Sequence, residues 1–280
     1  MPKKRLDVLL VERGLVETRA KAQALVMAGE VRVDGEVEYK PSALVDAEAP
    51  LDLEAAPRFV SRGGEKLEAA LKRFPVQVAG RVCADVGAST GGFTDCLLQR
   101  GAARVYAIDV GKGLLHWKLR SDPRVVVMEE TNARYLERLP EPVALVTVDA
   151  SFISLKLLLP VIKGWFDFSS PSPPSFEGEQ SERGEIIALI KPQFEAGRKE
   201  AAQHKGVIRN PAVHRAVLTE VLTFAQRQGF VVRGLLRSPI LGPKGNVEFL
   251  AWLTLEGCPE EDLASLIGQA LPGATEVDSP

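Results

Sequence analysis

Four charged residues stand at or near the ends of apolar segments, where their side chains could act together on one substrate. They are Lys66 in "SRGGEKLEAAL", Asp149 in "TVDASF", Lys191 in "ALIKPQFE" and Glu248 in "GNVEFLAWL". A lysine takes a proton from a weakly acidic hydroxyl only when desolvation or a neighbouring cation lowers its proton affinity. The set therefore favours a reaction on a hydroxyl such as that of a ribose, although each charge taken singly is also consistent with a surface ion pair.

A glycine-rich segment, "RVCADVGASTGGFTD" over residues 81–95, predicts a ligand-binding turn between a strand and a helix. Three interpretations compete: a dinucleotide fingerprint, a nucleophile elbow built on Ser89, and the first cofactor loop of a methyltransferase. Ser89 replaces the second glycine of the fingerprint, which weakens the first interpretation. The second requires a histidine after a late strand, but His116, His204 and His214 all precede the final strand.

The methyltransferase interpretation fits the acids that end the first two strands of this region. Small residues after the first acid would admit the methionine part of S-adenosylmethionine, Asp109 would accept its ribose hydroxyls, and Asn132 would lie near its adenine. The fourth strand ends in "TVDASFIS" and lacks the Pro-Pro-aromatic motif of enzymes that methylate amino groups, which leaves a hydroxyl as acceptor. The candidate cofactor-binding residues are Asp85, Gly87, Ser89, Gly91, Gly92, Phe93, Asp109 and Asn132.

The elements that must position these residues form an α/β pattern. Apolar strands that alternate with helices from residue 81 onward predict a Rossmann-like, mostly parallel sheet covered on both faces. Ligands bind beyond the carboxyl ends of such strands. Asp149 and Lys191 both end strands, and Glu248 begins the last strand, which reaches the same edge if it runs antiparallel. This large domain is predicted over residues 61–256, with a flexible Pro- and Ser-rich insertion at 169–185 and a carboxyl-terminal tail at 257–280.

Residues 1–60 predict a separate small α+β domain. Two short helical patterns precede Gly29, the second with Thr18 as its cap, and Asp34-Gly35 predicts a β-hairpin.

Composition sets limits on the class of protein. The chain has 280 residues, 45% of them hydrophobic, and a formal net charge of −2, so any basic surface must be local. Its three cysteines, Cys83, Cys96 and Cys258, are far apart, which predicts buried, reduced thiols and no metal site. Asp7 and Glu12 interrupt the only signal-like apolar run, and no window approaches a membrane span, so we expect a cytoplasmic protein that does not enter membranes.

The segment "RLDVLLVERGLVETRAKAQALVMAGEVRVDGEVEYKPS" resembles the alpha-L, S-four-type RNA-binding domain. The resemblance implies that Arg5, Arg19, Lys21 and Arg32 contact RNA phosphates from one surface, since guanidinium groups pair with phosphate oxygens without sequence readout. Acidic residues are about as numerous in the same segment, so solvated helix charges are an equally open interpretation.

The order Lys, Asp, Lys, Glu resembles the tetrad of FtsJ-like ribose 2′-O-methyltransferases. Nearly the whole chain is similar to the TlyA (haemolysin A) family of ribosomal RNA methyltransferases, through "FVSRGGEKL", "DVGASTGGFTD", "VDASFISL", "IKPQFEAGR", "KGVIRNPAVH" and "SPILGPKGNVEFLAWL". The resemblance implies S-adenosylmethionine as cofactor and 2′-O-methylation of ribosomal RNA, on cytidine in the family pattern, within ribosomal subunits and without a metal.

The expected mechanism is in-line transfer in which Lys191, beside Lys66, assists proton removal from the ribose hydroxyl. Asp149 would orient Lys191, and Glu248 would orient Lys66 or the ribose. Three alternatives stay open: an RNA-binding ribosome assembly factor without turnover, a serine hydrolase, and a membrane-lytic haemolysin, for which the sequence offers no spanning or strongly amphipathic lytic segment.

Overall fold

The computed structural model describes residues 3–27, 29–53, 57–166, 184–197, 206–259 and 261–271. It divides into two compact units, Met1–Arg58 and Phe59–Pro280. The division comes slightly before the expected one, which followed residue 60. Most of the expected insertion, residues 169–183, and His204 lie outside the described residues.

The front unit contains short strands and two helices. The strands are β1 (Lys3–Arg5), β2 (Val31–Val33), β3 (Glu36–Val37), β4 (Leu44–Asp46) and β5 (Leu51–Leu53), and the helices are α1 (Leu6–Glu12) and α2 (Arg19–Met27). β2 pairs antiparallel with both β3 and β5, and β1 pairs antiparallel with β4. The core of the unit consists of Leu6, Leu10, Val16, Ala22, Val26 and Val31.

The turn between β2 and β3 confirms the predicted hairpin. Asp34 and Gly35 have φ angles of 53° and 85°. Two consecutive positive φ angles are what a two-residue hairpin with the right-handed twist of its strands requires. The predicted cap of α2 is also present, because the Lys21 amide donates to Thr18 Oγ1 at 3.2 Å.

The large unit is built on a sheet of seven strands in the order β11-β12-β10-β9-β6-β7-β8. The strands are β6 (Val82–Val86), β7 (Arg104–Ile108), β8 (Val125–Met128), β9 (Leu145–Val148), β10 (Glu185–Ile190), β11 (Val231–Arg237) and β12 (Phe249–Thr254). Neighbours from β10 to β8 are parallel, whereas β12 runs antiparallel to β10 and β11. This confirms the predicted mostly parallel sheet with an antiparallel last strand.

Helices cover both faces of this sheet. They are α3 (Gly63–Arg73), α4 (Gly92–Gln99), α5 (Trp117–Arg120), α6 (Leu155–Lys163), α7 (Pro192–Glu195), α8 (Pro211–Arg227) and α9 (Leu263–Ala270), with 3₁₀ turns at Ala133–Tyr135 and Pro243–Gly245. Along β10, Ile186, Ala188 and Ile190 pack into one core, and Ile187 and Leu189 pack into the other. A strand buried on both faces has no polar side, which explains its unbroken apolar sequence.

Two expectations about segment boundaries need correction. Glu185, assigned to the insertion, opens β10 and is buried. Part of the expected carboxyl-terminal tail forms α9, because Leu266, Ile267 and Ala270 recur at helical spacing and bury their side chains in the core.

The cysteines follow the expectation in part. Cys83 and Cys96 are buried, and burial raises the pKa of the Cys83 thiol to about 12, but Cys258 is exposed. Within the described ranges, no helix is both long enough and apolar enough to cross a membrane.

Candidate active site

The predicted tetrad lies at one edge of the sheet. Asp149 directly follows β9, and Lys191 directly follows β10, which runs parallel to it. Glu248 directly precedes β12, in which Phe249 pairs with Ile190 of β10. Because β12 is antiparallel, its start lies beside the end of β10, as the sequence predicted. Lys66 reaches this edge from α3.

Lys66 and Glu248 form the first of two ion pairs. The distance from Lys66 Nζ to Glu248 Oε2 is 2.6 Å, and their side chains are 10% and 0% exposed. Glu248 Oε1 also accepts a hydrogen bond from Gln193 Nε2 at 3.4 Å. A carboxylate without contact with water needs such compensation. Gly242 packs directly against the Glu248 carboxylate. A Cβ added at Gly242 would lie 2.1 Å from Glu248 Oε1.

Lys191 and Asp149 form the second pair. Lys191 Nζ lies 2.6 Å from Asp149 Oδ1. The same ammonium donates to Ser151 Oγ at 2.8 Å and to the Asp149 carbonyl at 3.4 Å. Each lysine of the tetrad therefore has its own carboxylate, and Lys191 is held by three oxygen atoms of the segment that follows β9.

Two cavities meet at Asp149. The larger, of about 680 Å³, is lined by residues 149–154 together with the ends of β6 and β7, and the smaller, of about 450 Å³, includes Lys66 and the segment 240–243. Asp149, Gly87 and Ser89 line both. Both volumes are in the range of small-molecule sites.

Asp109 directly follows β7 and lines the larger cavity. Its two carboxylate oxygens accept from the backbone amides of Gly111, at 2.7 Å, and Ser89, at 2.8 Å. A carboxylate oxygen has two lone pairs, so both oxygens can still accept a ligand hydroxyl. Asn132 lines the same cavity and uses its Oδ1 to cap a 3₁₀ turn.

Gly87 has a steric reason to be glycine. Its φ is 83°, and an added Cβ would lie 2.7 Å from the carbonyl oxygen of Asp149. The loop after β6 therefore passes directly under the backbone of the residue that pairs with Lys191. A side chain here would displace both the loop and Asp149.

The other predicted cofactor residues are divided between cavity and core. Gly92 and Phe93 line the smaller cavity. Gly91 belongs to neither lining: its φ is 98°, and an added Cβ would lie 2.1 Å from Leu119 Cδ1, so its smallness serves packing between helices.

Asp85 also departs from its predicted place in a ligand site. It is fully buried and accepts from Thr94 Oγ1 at 2.7 Å and Thr147 Oγ1 at 3.1 Å. Burial raises the pKa of its carboxyl to about 7, although both hydroxyls act against that rise. Asp85 therefore supports the loop from beneath by connecting β6, β9 and α4.

Among the described residues, no hydrogen bond joins Ser89 to a histidine, as a nucleophile elbow would require. The backbone amide of Ser89 is bonded to Asp109. His116 Nδ1 accepts from the Lys118 amide, and His214 is buried against the Ile208 carbonyl, where burial lowers its pKa. Within the part of the chain that the structure describes, no cluster of acids, cysteines and histidines could hold a metal.

Sequence reasoning missed Ser151 and Gln193. Each directly contacts a member of the tetrad, and each lies two residues beyond another member, in "DAS" and "KPQ". Neutral polar residues are common after strands, so their residue type did not indicate a role. Only their closeness in sequence to Asp149 and Lys191 could have identified them.

Two of the four predicted RNA-binding residues, Arg5 and Arg19, lie together in the front unit. Arg5 donates from Nε and Nη2 to the carboxylate of Asp7, at 3.0 Å and 2.9 Å, and Arg19 Nε donates to Asp7 Oδ2 at 2.9 Å. Asp7 is fully buried, and these bonds hold its pKa below the usual range. Lys21 pairs with Glu17 at 3.6 Å, and Arg32 donates to the Gly35 carbonyl at 3.0 Å.

Comparisons with known proteins agree with this architecture. Residues 59–255 match the FtsJ-like methyltransferase model, and residues 4–50 match the S4 domain model. YqxC, a candidate rRNA methyltransferase of Bacillus subtilis (strain 168), is 46% identical over 282 residues, 96% of this chain and 94% of that protein. The 16S/23S rRNA (cytidine-2′-O)-methyltransferase TlyA of Mycobacterium tuberculosis (strain ATCC 25618 / H37Rv) is 44% identical over 253 residues, 89% of each chain.

A solved structure adds to this comparison. A candidate hemolysin from Streptococcus thermophilus matches with a TM-score of 0.67 and 43% identity over 96% of each chain. The chain therefore belongs to the TlyA/YqxC family of methyltransferases, in which an S4 domain is joined to an FtsJ-like methyltransferase domain.

Proposed function

We propose that the protein transfers a methyl group from S-adenosylmethionine to the ribose 2′-hydroxyl of a cytidine in ribosomal RNA. One observation carries the proposal. Asp149 lines both cavities and pairs with Lys191, so a cofactor in one cavity and a ribose in the other would meet beside an ion-paired lysine. A hydroxyl acceptor needs such a group, because its proton must leave as the new bond forms.

The larger cavity fits S-adenosylmethionine. Asp109 presents a carboxylate to it, Gly87 and Ser89 keep its floor free of large side chains, and Asn132 lies at its wall. When bound there, the cofactor would supply an activated methyl group on a sulfonium, which is already a good leaving group and needs no metal.

Each of the four charged residues has a role in the proposed reaction. Lys191 assists removal of the proton from the ribose hydroxyl, and Asp149 and Ser151 fix the position of its nitrogen. Lys66 lines the smaller cavity, which would hold the ribose, and orients that ribose. Glu248 holds Lys66 in place. Ion pairs and hydrogen bonds thus hold both lysines in place. They lower the activation barrier of methyl transfer mainly by orienting the reacting groups.

RNA as substrate is supported by the front unit and by the relatives. Arg5 and Arg19 share one buried carboxylate, so two guanidinium groups lie together, and such groups bind phosphate through paired hydrogen bonds. TlyA of Mycobacterium tuberculosis is named for cytidine 2′-O-methylation of 16S and 23S rRNA. Because ribosomal subunits are the proposed substrate, we infer that the protein works in the cytoplasm.

The test is transfer of labelled methyl groups from S-adenosylmethionine to purified ribosomal subunits. We expect label in ribosomal RNA with the wild-type protein and a strong reduction with Asp109→Ala, which loses about 1.5–3 kcal/mol of cofactor affinity if its carboxylate accepts hydrogen bonds from the ribose. RNA binding without any transfer would instead identify a non-catalytic assembly factor.

A further inference from the structure

Two segments next to Lys191 leave the sheet side by side. Residues 149–154, here called the 149–154 loop, follow β9, and residues 191–195, here called the 191–195 turn, follow β10. These strands are parallel, with Val148 beside Ala188. The loop contributes all six of its residues to the lining of the larger cavity, and the turn carries Lys191.

The loop and the turn are joined at three successive points. Lys191 binds Asp149 and Ser151, as described above. The rings of Phe152 and Phe194 lie 4.8 Å apart between centroids. At the far end, Glu195 accepts from Ser154 Oγ at 2.6 Å and from the Leu155 amide at 2.8 Å.

Among these contacts, the one made by Glu195 lies farthest along the loop from Asp149. The residue is 8% exposed, and each of its two carboxylate oxygens accepts one donor from the chain that leaves the loop. Burial raises the pKa of its carboxyl. Such a carboxylate is costly to bury, and its bonds fix both the end of the loop and the start of α6.

The loop contains a residue that needs outside restraint. Phe152 has a φ of 64° and is 90% exposed. Bulky residues seldom adopt this conformation, and they keep it only where their surroundings impose it. The contacts on either side of Phe152, at Ser151 and Ser154, supply that restraint.

We propose that Glu195 is a positioning residue for methyl transfer, an inference that rests on the proposed function. By binding Ser154 and Leu155, it holds the 149–154 loop against the 191–195 turn. It thereby fixes the wall of the cofactor cavity relative to the nitrogen of Lys191. Glu195 itself lines neither cavity, and it acts through the loop and the turn that it joins.

The experiment compares variants of the full chain by calorimetry with S-adenosylmethionine and by methyl transfer to ribosomal subunits. We expect Glu195→Ala to bind the cofactor several-fold more weakly and to lose about 10- to 100-fold in turnover, because a misplaced reactive group costs that much. Glu195→Gln should recover most of both, since its amide oxygen accepts from Leu155 and its amide nitrogen can donate to Ser154. Ser154→Ala, which removes one of the two bonds, should lie between wild type and Glu195→Ala.

Glu220→Ala is the matched control. Glu220 is a neighbouring, exposed glutamate that pairs with Lys156 of α6 and has no contact with the loop among its described bonds. Wild-type affinity and turnover in Glu195→Ala, or equal losses in Glu195→Ala and Glu220→Ala, would overturn the proposal. If Glu195→Ala does not fold, wild-type cofactor affinity and turnover in Ser154→Ala overturn the proposal. A wild-type protein that binds cofactor but methylates no RNA would refute the proposed function, and the calorimetry would still test the positioning role.

Discussion

At the scale of single residues, the site is organised as two separate lysine–carboxylate pairs. Lys66 pairs with Glu248, and Lys191 pairs with Asp149, both at 2.6 Å. Removal of one member of a buried pair leaves the other charge without compensation, which destabilises a protein by about 3–5 kcal/mol. Variants at these positions therefore need a stability measurement beside any activity measurement.

Asp85 gives a prediction for the dependence of stability on pH. Its pKa is about 7 in the folded protein, against 3.8 for the unperturbed group, so between these values the folded state holds a proton that the unfolded state has lost. The contribution of Asp85 to the free energy of unfolding is therefore most favourable at low pH. It falls by up to about 1.4 kcal/mol per pH unit as the pH rises towards 7, and it then levels off.

Urea unfolding of the wild type and Asp85→Asn at several pH values between 5 and 8 measures this contribution. The variant keeps the shape of the side chain and cannot ionise. We expect the difference in unfolding free energy between the two proteins to change with pH up to about 7, and not above it. Parallel pH profiles would show that Asp85 does not titrate in this range.

At the scale of elements, the loop after β6 packs against the backbone of the residue that follows β9. An added Cβ at Gly87 would lie 2.7 Å from the Asp149 carbonyl oxygen. We expect Gly87→Ala to displace that backbone and to weaken S-adenosylmethionine binding, with a loss of stability of about 1–3 kcal/mol. Calorimetry and thermal unfolding measure the two effects.

Gly80→Ala is the control for backbone strain alone. Gly80 has a similar φ of 74°, but an added Cβ would meet nothing within 4 Å. Its variant should be mildly destabilised and should bind the cofactor as the wild type does. Equal effects at the two glycines would contradict the role given to the contact between Gly87 and Asp149.

The same elements show how far the sequence could predict the structure. Apolar strands alternating with helices determined the parallel sheet, and residues at strand ends must meet at one edge, so the grouping of Asp149, Lys191 and Glu248 was predictable. The burial of Asp85 was not, because it depends on Thr94 and Thr147 from two other elements. Glu195 was missed for the same reason, since its partners lie 40 and 41 residues away along the chain.

At the scale of the whole molecule, a chain of net charge −2 must concentrate its positive charge locally to bind RNA. In the front unit, Arg5 and Arg19 bring two positive charges together around Asp7. We expect Arg19→Ala to weaken binding to ribosomal RNA and to reduce the slope of log affinity against log salt by about 0.9, the value for one lost phosphate contact on duplex nucleic acid. Binding titrations at several salt concentrations measure both effects.

Arg104→Ala provides a comparison, because Arg104 is another half-exposed arginine bound to a carboxylate, that of Glu141. It should leave the affinity and the salt slope close to the wild-type values. An Arg19→Ala protein with wild-type affinity and slope would show that its guanidinium serves only to bind Asp7.

The most direct test of the central claim is nucleoside analysis of ribosomal RNA after reaction with the wild type, Lys191→Ala and Lys191→Arg. We predict 2′-O-methylcytidine with the wild type and a rate lower by about 10²–10⁴ with Lys191→Ala, the usual contribution of a positioned acid or base. Lys191→Arg should not restore the rate, because a guanidinium stays protonated. A methyl group on the base, or wild-type activity in Lys191→Ala, would contradict the account.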